Sequence, residues 1–149
     1  MEWDELSELY GQVIIERAQD PRWFHPLKGS VQRAVVNPTC GDAFTVAVTR
    51  DSNRITGVAI TAGDGCMIAR AAAAVVCNLV DHQPVEEAQA RLRAFTALVT
   101  HKRALTTEEQ EKLGDGMAFT GVARFPVRVK CALLACEGVQ RIIDSNSSR

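Results

Sequence analysis

Nowhere does the chain hold the ~18 uninterrupted apolar residues that a membrane span requires. Its opening, Met1-Glu2-Trp3-Asp4-Glu5, is acidic where a secretory signal is basic. A cytoplasmic protein that does not enter a membrane is expected. Charge of one sign is missing as well: 17 basic residues face 18 acidic ones, leaving a net −1. There is therefore no electrostatic footprint for nucleic acid or for an anionic membrane. No long polar tract, internal repeat or linker interrupts the sequence, and 46% hydrophobic with 23% charged residues is an ordinary globular composition. A chain of 149 residues predicts one domain spanning 1–149. The five cysteines include no C-x-x-C pair, and an odd number cannot pair completely within one chain. In a reducing compartment they read as thiols, ligands or core residues rather than as a disulfide framework.

What is present is regular. Leu6, Leu9, Tyr10, Val13 and Ile14 follow helical spacing up to a stop at Asp20-Pro21, and Pro21 to Gly29 is irregular. Val31 to Val36 reads as a strand. Phe44, Val46 and Val48 alternate with Thr45, Ala47 and Thr49 as a half-buried strand, and after the turn Asp51-Ser52-Asn53 a returning arm runs from Ile55 to Thr61. Beyond Gly63-Asp64-Gly65, a long helix is expected from Cys66 to Asp81, with Ala69, Ala73, Val76 and Val80 on one face. Pro84 suits the first turn of a second helix carrying Val85, Ala88, Leu92, Phe95 and Val99. Thr106 or Thr107 before Glu108-Glu109 starts a short helix, and Gly114-Asp115-Gly116 opens a loop. Pro126 begins a last helix with the stripe Ala132, Cys136, Val139 and Ile143, and Ser145 to Arg149 is a polar tail. The class is α+β, a small antiparallel three-stranded sheet packed against helices.

The cysteines divide by position. Cys40 lies in Asn37-Pro38-Thr39-Cys40-Gly41-Asp42, a turn that can aim a thiol and a carboxylate the same way. Cys66 starts a helix, where free N–H groups and the dipole favour thiolate. Cys131 sits in the first turns of the last helix, with Arg128 on the same side. Cys77 lies roughly 16 Å along the helix axis from Cys66, and Cys136 points about 140° away from Cys131. Both are read as small buried hydrophobes. Taken singly, Cys40, Cys66 and Cys131 are equally consistent with structural roles; a discontinuous site built from all three is physically allowed. His25, His82 and His101 fall in loops or at helix ends and read as surface or packing residues, His25 least clearly.

Three words carry a resemblance: Asn37-Pro38-Thr39-Cys40-Gly41-Asp42, Gly63-Asp64-Gly65-Cys66-Met67-Ile68 and Phe125-Pro126-Val127-Arg128-Val129-Lys130-Cys131-Ala132-Leu133-Leu134. In this order they resemble the three cysteine signatures of the SufU/IscU/NifU iron–sulfur cluster assembly family, and the likeness covers nearly the whole chain. Lys130, where IscU-type scaffolds carry histidine, and the extra segment from about His101 to Gly121 look SufU-like. Met67 and the run Ala71 to Ala74 depart from the commonest pattern, in which small hydroxyl residues follow the second cysteine.

The resemblance implies one zinc ion held by Cys40, Asp42, Cys66 and Cys131, a donor set that suits a tetrahedral shell. It also implies a zinc-dependent sulfurtransferase that accepts persulfide sulfur from a SufS-type cysteine desulfurase and passes it to downstream cluster assembly proteins. Cys40 is expected to be the acceptor, released from the metal by a donor group of the desulfurase, with Arg128 steadying the exchange or docking the partner. The alternatives are a scaffold that builds a transient [2Fe–2S] cluster on the same cysteines, since thiolates suit iron as well as zinc, and a non-catalytic, zinc-stabilised binding module.

Overall fold

The computed structural model describes the backbone of residues 3–145 and the side chains of residues 10–145. Helix α1 (Trp3–Ala18) ends just before Asp20-Pro21, and Tyr10, Val13 and Ile14 pack against the core. The side chains of Leu6 and Leu9 lie outside the described residues.

Strands β1 (Val31–Val36), β2 (Ala43–Asp51) and β3 (Arg54–Asp64) form an antiparallel sheet in the order β1-β2-β3. Alternation along β2 buries Phe44, Val46 and Val48. The outer edge of β3 is closed by the irregular stretch before β1, where the Trp23 carbonyl accepts the Ile60 N–H at 2.8 Å. The returning arm runs three residues beyond Thr61. It continues because Gly63, paired with Phe44 at φ +97°, has no Cβ to strike the Ala43 carbonyl. Glycine there reads as a break in the sequence, yet it extends the strand and delivers the chain to Cys66.

Helix α2 (Met67–Val80) is the central element, packed by α1, β3, α3 (Val85–Thr100) and α5 (Pro126–Ser145). Its residues Ala71 to Cys77 are all buried, so the alanine run serves close approach on every side. Pro84 is the residue immediately before α3. Helix α4 (Thr107–Leu113) begins with a capping box in which Thr106 Oγ1 accepts the Glu109 N–H and the Glu109 carboxylate accepts the Thr106 N–H. The expected loop at Gly114 is instead a 3₁₀ helix, Gly114–Arg124. Gly114 does end α4, but Ala118, Phe119 and Val122 recur at helical spacing and are buried, Phe119 meeting Phe95 edge-on at 5.5 Å. Ser145, expected in the tail, is the last residue of α5; the rest of that tail, 146–149, lies outside the described residues. Among the described residues, no helix is long and apolar enough to cross a membrane.

Helix α5 covers the sheet through Gly138, where a Cβ would lie 2.7 Å from Val46 Cγ2 and 3.0 Å from Val35 Cγ1. Both neighbours are stiff β-branched side chains in a packed interior, so they yield little. Gly138→Ala is expected to destabilise the protein by about 1–3 kcal/mol, read as a lowered denaturant midpoint. An unchanged midpoint would show that the helix can lift off the sheet at no cost.

Candidate metal centre

The loop between β1 and β2 is closed by its own backbone: Asn37 N–H donates to the Asp42 carbonyl and Gly41 N–H to the Asn37 carbonyl, each at 2.8 Å. Gly41, at φ +76°, makes the reversal that points Cys40 and Asp42 the same way. Cys40 is exposed, whereas Asp42 is buried. Cys131, in the first turns of α5, is buried beneath them with its Sγ 3.2 Å from that of Cys40. Asp42 Oδ2 lies 3.6 Å from Cys40 Sγ. The donor atoms of Cys40, Asp42 and Cys131 all lie within 4.8 Å of one another.

Cys66 arrives differently. It is the N-cap of α2, its exposed Sγ accepting the Ala69 N–H at 3.5 Å while its own N–H donates to Asp42 Oδ1 at 3.0 Å. Gly65 permits this approach, since a Cβ there would sit 3.2 Å from Asp42 Cγ and 3.1 Å from Phe44 Cζ. The Cys66 side chain lies outside the compact trio but close enough to interact with Asp42 and Cys131. Of the four expected ligands, three converge, and the fourth stands at the rim facing the start of its own helix.

Burial raises the Asp42 pKa, but the Cys66 backbone N–H and then the thiols of Cys131, Cys66 and Cys40 outweigh it, so the carboxyl sits below its ordinary range. The Cys131 thiol is pushed well up by burial first, then by its contacts with Cys40 and Asp42 and by the nearby Cys66. A bound cation would take the place of the Cys131 proton. Distances agree with such an ion. With metal–sulfur bonds near 2.3 Å, a tetrahedral shell separates two sulfurs by about 3.8 Å and a sulfur from an oxygen by about 3.5 Å. The observed 3.2 and 3.6 Å need only a slight spreading of the two thiols. For Cys66 to join the set, its sulfur would have to leave the long bond to the Ala69 N–H.

The remaining candidates stand elsewhere. Cys77 and Cys136 are fully buried in the core, and burial pushes the Cys136 thiol up to about 12. His25 Nδ1 donates to the Pro26 carbonyl and His101 Nε2 to the Thr120 carbonyl, while His82 is an exposed turn residue at φ +60°. No histidine belongs to the trio. Arg128 is exposed and lines a cleft of about 330 Å³ with Tyr10, Ile14, Ile68 and Phe125. Among the described residues, no hydrogen bond or ion pair joins its guanidinium to Cys40, Asp42 or Cys131. Sequence reasoning missed Asn37, whose side chain is buried against the thiols; an asparagine opening a turn three residues before a cysteine was the available signal.

Residues 9–132 match the family model described as NifU-like N terminal domain. The chain is 30% identical over 148 residues to the iron–sulfur cluster assembly scaffold protein IscU of Streptococcus pyogenes serotype M1, covering 99% of this chain and 91% of that protein. It is 31% identical over 136 residues to the zinc-dependent sulfurtransferase SufU of Bacillus subtilis (strain 168), covering 91% and 90%. In fold it is similar to a proposed iron–sulfur cluster assembly scaffold of the SUF system from Fervidobacterium islandicum AW-1. That likeness has a TM-score of 0.80 at 22% identity and covers 90% of this chain and 96% of the other. The chain belongs to the NifU-like N-terminal domain family.

Proposed function

We propose that this member of the NifU-like N-terminal domain family is a zinc-dependent sulfur carrier of iron–sulfur cluster assembly, taking persulfide sulfur from a cysteine desulfurase in the cytoplasm. The observation that carries the reading is the pairing of one exposed thiol, Cys40, with a buried thiol and a buried carboxylate within 4.8 Å. Cys40, Asp42, Cys66 and Cys131 would hold the metal, which supplies a charge that keeps the thiolates deprotonated and brings no redox chemistry of its own.

In the transfer, the Cys40 thiolate attacks the outer sulfur of the desulfurase persulfide. A new S–S bond forms on Cys40, the old S–S bond breaks, and the desulfurase cysteine leaves as thiolate, so no outside oxidant or reductant is needed. Cys131, Asp42 and Cys66 stay behind as the retained donor set. Exposed apolar side chains flank the three segments, namely Val36 beside the Cys40 loop, Met67 beside Cys66, and Phe125 and Val127 ahead of Cys131. Such a rim suits a protein partner. Arg128, unattached to the thiols, takes the docking role rather than that of a cation beside Cys131. Downstream cluster assembly proteins then receive the sulfur.

The scaffold reading is supported by the likeness to IscU and by the same three thiols. Elemental analysis of protein purified without oxygen separates the two. One zinc per chain in colourless protein, together with faster alanine formation by an added SufS-type desulfurase, is the expected result. Brown protein holding iron and sulfide would replace sulfur transfer with cluster assembly. Zinc-bound protein that leaves the desulfurase rate unchanged would reduce the chain to a zinc-stabilised binding module.

A further inference from the structure

Asn37 is 3% exposed as a residue, and both its side-chain oxygen and its side-chain nitrogen have hydrogen-bond partners. Its Oδ1 accepts the Thr39 N–H at 3.1 Å. That bond fixes the orientation of the amide, because only the oxygen end can face a donor. Nδ2 is then turned toward sulfur, 2.9 Å from Cys40 Sγ and 3.6 Å from Cys131 Sγ. An amide NH2 has two hydrogens, one for each sulfur. The backbone of the same residue closes the loop at both ends, through Asp42 and Gly41.

We propose that Asn37 is a positioning residue that clamps the Cys40 and Cys131 sulfurs together from behind, a role that rests on reading these two thiols as metal ligands. N–H donors to a thiolate are charge-assisted and draw electron density off the sulfur. The amide therefore does two things at once. It holds the exposed Cys40 sulfur over the buried one, and it makes both sulfurs weaker electron donors to whatever ion they share.

The direct test needs no substitution. In protein loaded with cadmium-113, a scalar coupling between the metal and the Asn37 side-chain amide protons is expected, carried across N–H···S–Cd. Absence of that coupling, with the amide signals assigned, would overturn the clamp. A second measurement uses Asn37→Leu, close to asparagine in size and lacking the donors. Loaded with cobalt(II), it should show the sulfur-to-cobalt charge-transfer band displaced to longer wavelength, because the sulfurs donate more strongly without the amide. A band unmoved in position refutes the clamp, since damage confined to the loop would lower occupancy without shifting the band. If the variant does not fold, the cadmium experiment decides alone. Neither readout involves the desulfurase, so a coupling seen in protein that fails to stimulate that enzyme rejects sulfur transfer and keeps the clamp. Protein that binds neither ion overturns both.

Discussion

Cys40→Ala should abolish stimulation of the cysteine desulfurase while leaving the metal-free protein folded, at a cost of about 1–3 kcal/mol for the buried Asn37 amide N–H that loses its sulfur acceptor. The loop around Cys40 is closed by backbone bonds from Asn37 and Gly41, and neither uses the thiol. What the substitution deletes is the exposed sulfur of the compact trio, the one 3.2 Å from Cys131 Sγ. Cys40→Ser sharpens the test, because a hydroxyl keeps the size and polarity but cannot form a persulfide. Cys131→Ala should lower stability further. Its thiol is buried, so its loss lowers stability as well as metal retention. Desulfurase turnover and a denaturation curve, measured on the same preparations, separate the two. Full stimulation by Cys40→Ala would transfer the acceptor role to Cys66, the other exposed thiol.

The order of elements was legible because each announces itself locally. Alternation in Phe44-Val46-Val48 fixed a strand face, Pro126 marked the start of α5, and the alanine-rich run after Cys66 gave α2. What sequence could not supply were effects of approach. Gly63 extends β3 where it looked like a terminator, and the 3₁₀ helix after Gly114 forms because Phe119 has Phe95 to pack against. The candidate site was partly readable for the same reason. Cys40, Asp42 and Cys131 stood at turns and a helix start, positions that free a side chain to face a neighbour, and the structure brings them together. Nothing in the spacing turns the Asn37 amide toward two thiols, since that depends on contacts made only after folding. Arg128 illustrates the limit of helical arithmetic. Sharing a side with Cys131 across one turn did not bring its guanidinium to the sulfur, because a long side chain takes its final direction from the cleft around it.

Asp42 is where fold and site meet, and Asp42→Ala is expected to cost more metal affinity than the ~10–100-fold typical of losing an outer-shell partner. One oxygen faces the Cys40 thiol and the other accepts the Cys66 N–H, so a single carboxylate ties the β1–β2 loop to the start of α2. Asp42→Asn separates these duties. It keeps an acceptor for Cys66, so the metal-free protein should still fold, its midpoint at neutral pH lowered only by the share that depends on the carboxylate's charge. It removes the negative charge, so metal retention should still fall sharply. Acid exposes the same charge in the unsubstituted, metal-free protein. Against the opposing effect of burial, the Cys66 N–H and the surrounding thiols hold the Asp42 carboxyl below its unfolded value. Its contribution to stability is therefore complete above about pH 4 and fades as pH falls through the lower folded value. Asp42→Asn should lack that component, so denaturation midpoints of the two proteins should converge below pH 4, while zinc retention, measured by chelator competition at neutral pH, remains far apart. Equal zinc retention at neutral pH would remove Asp42 from the donor set and leave it as a tie between two segments.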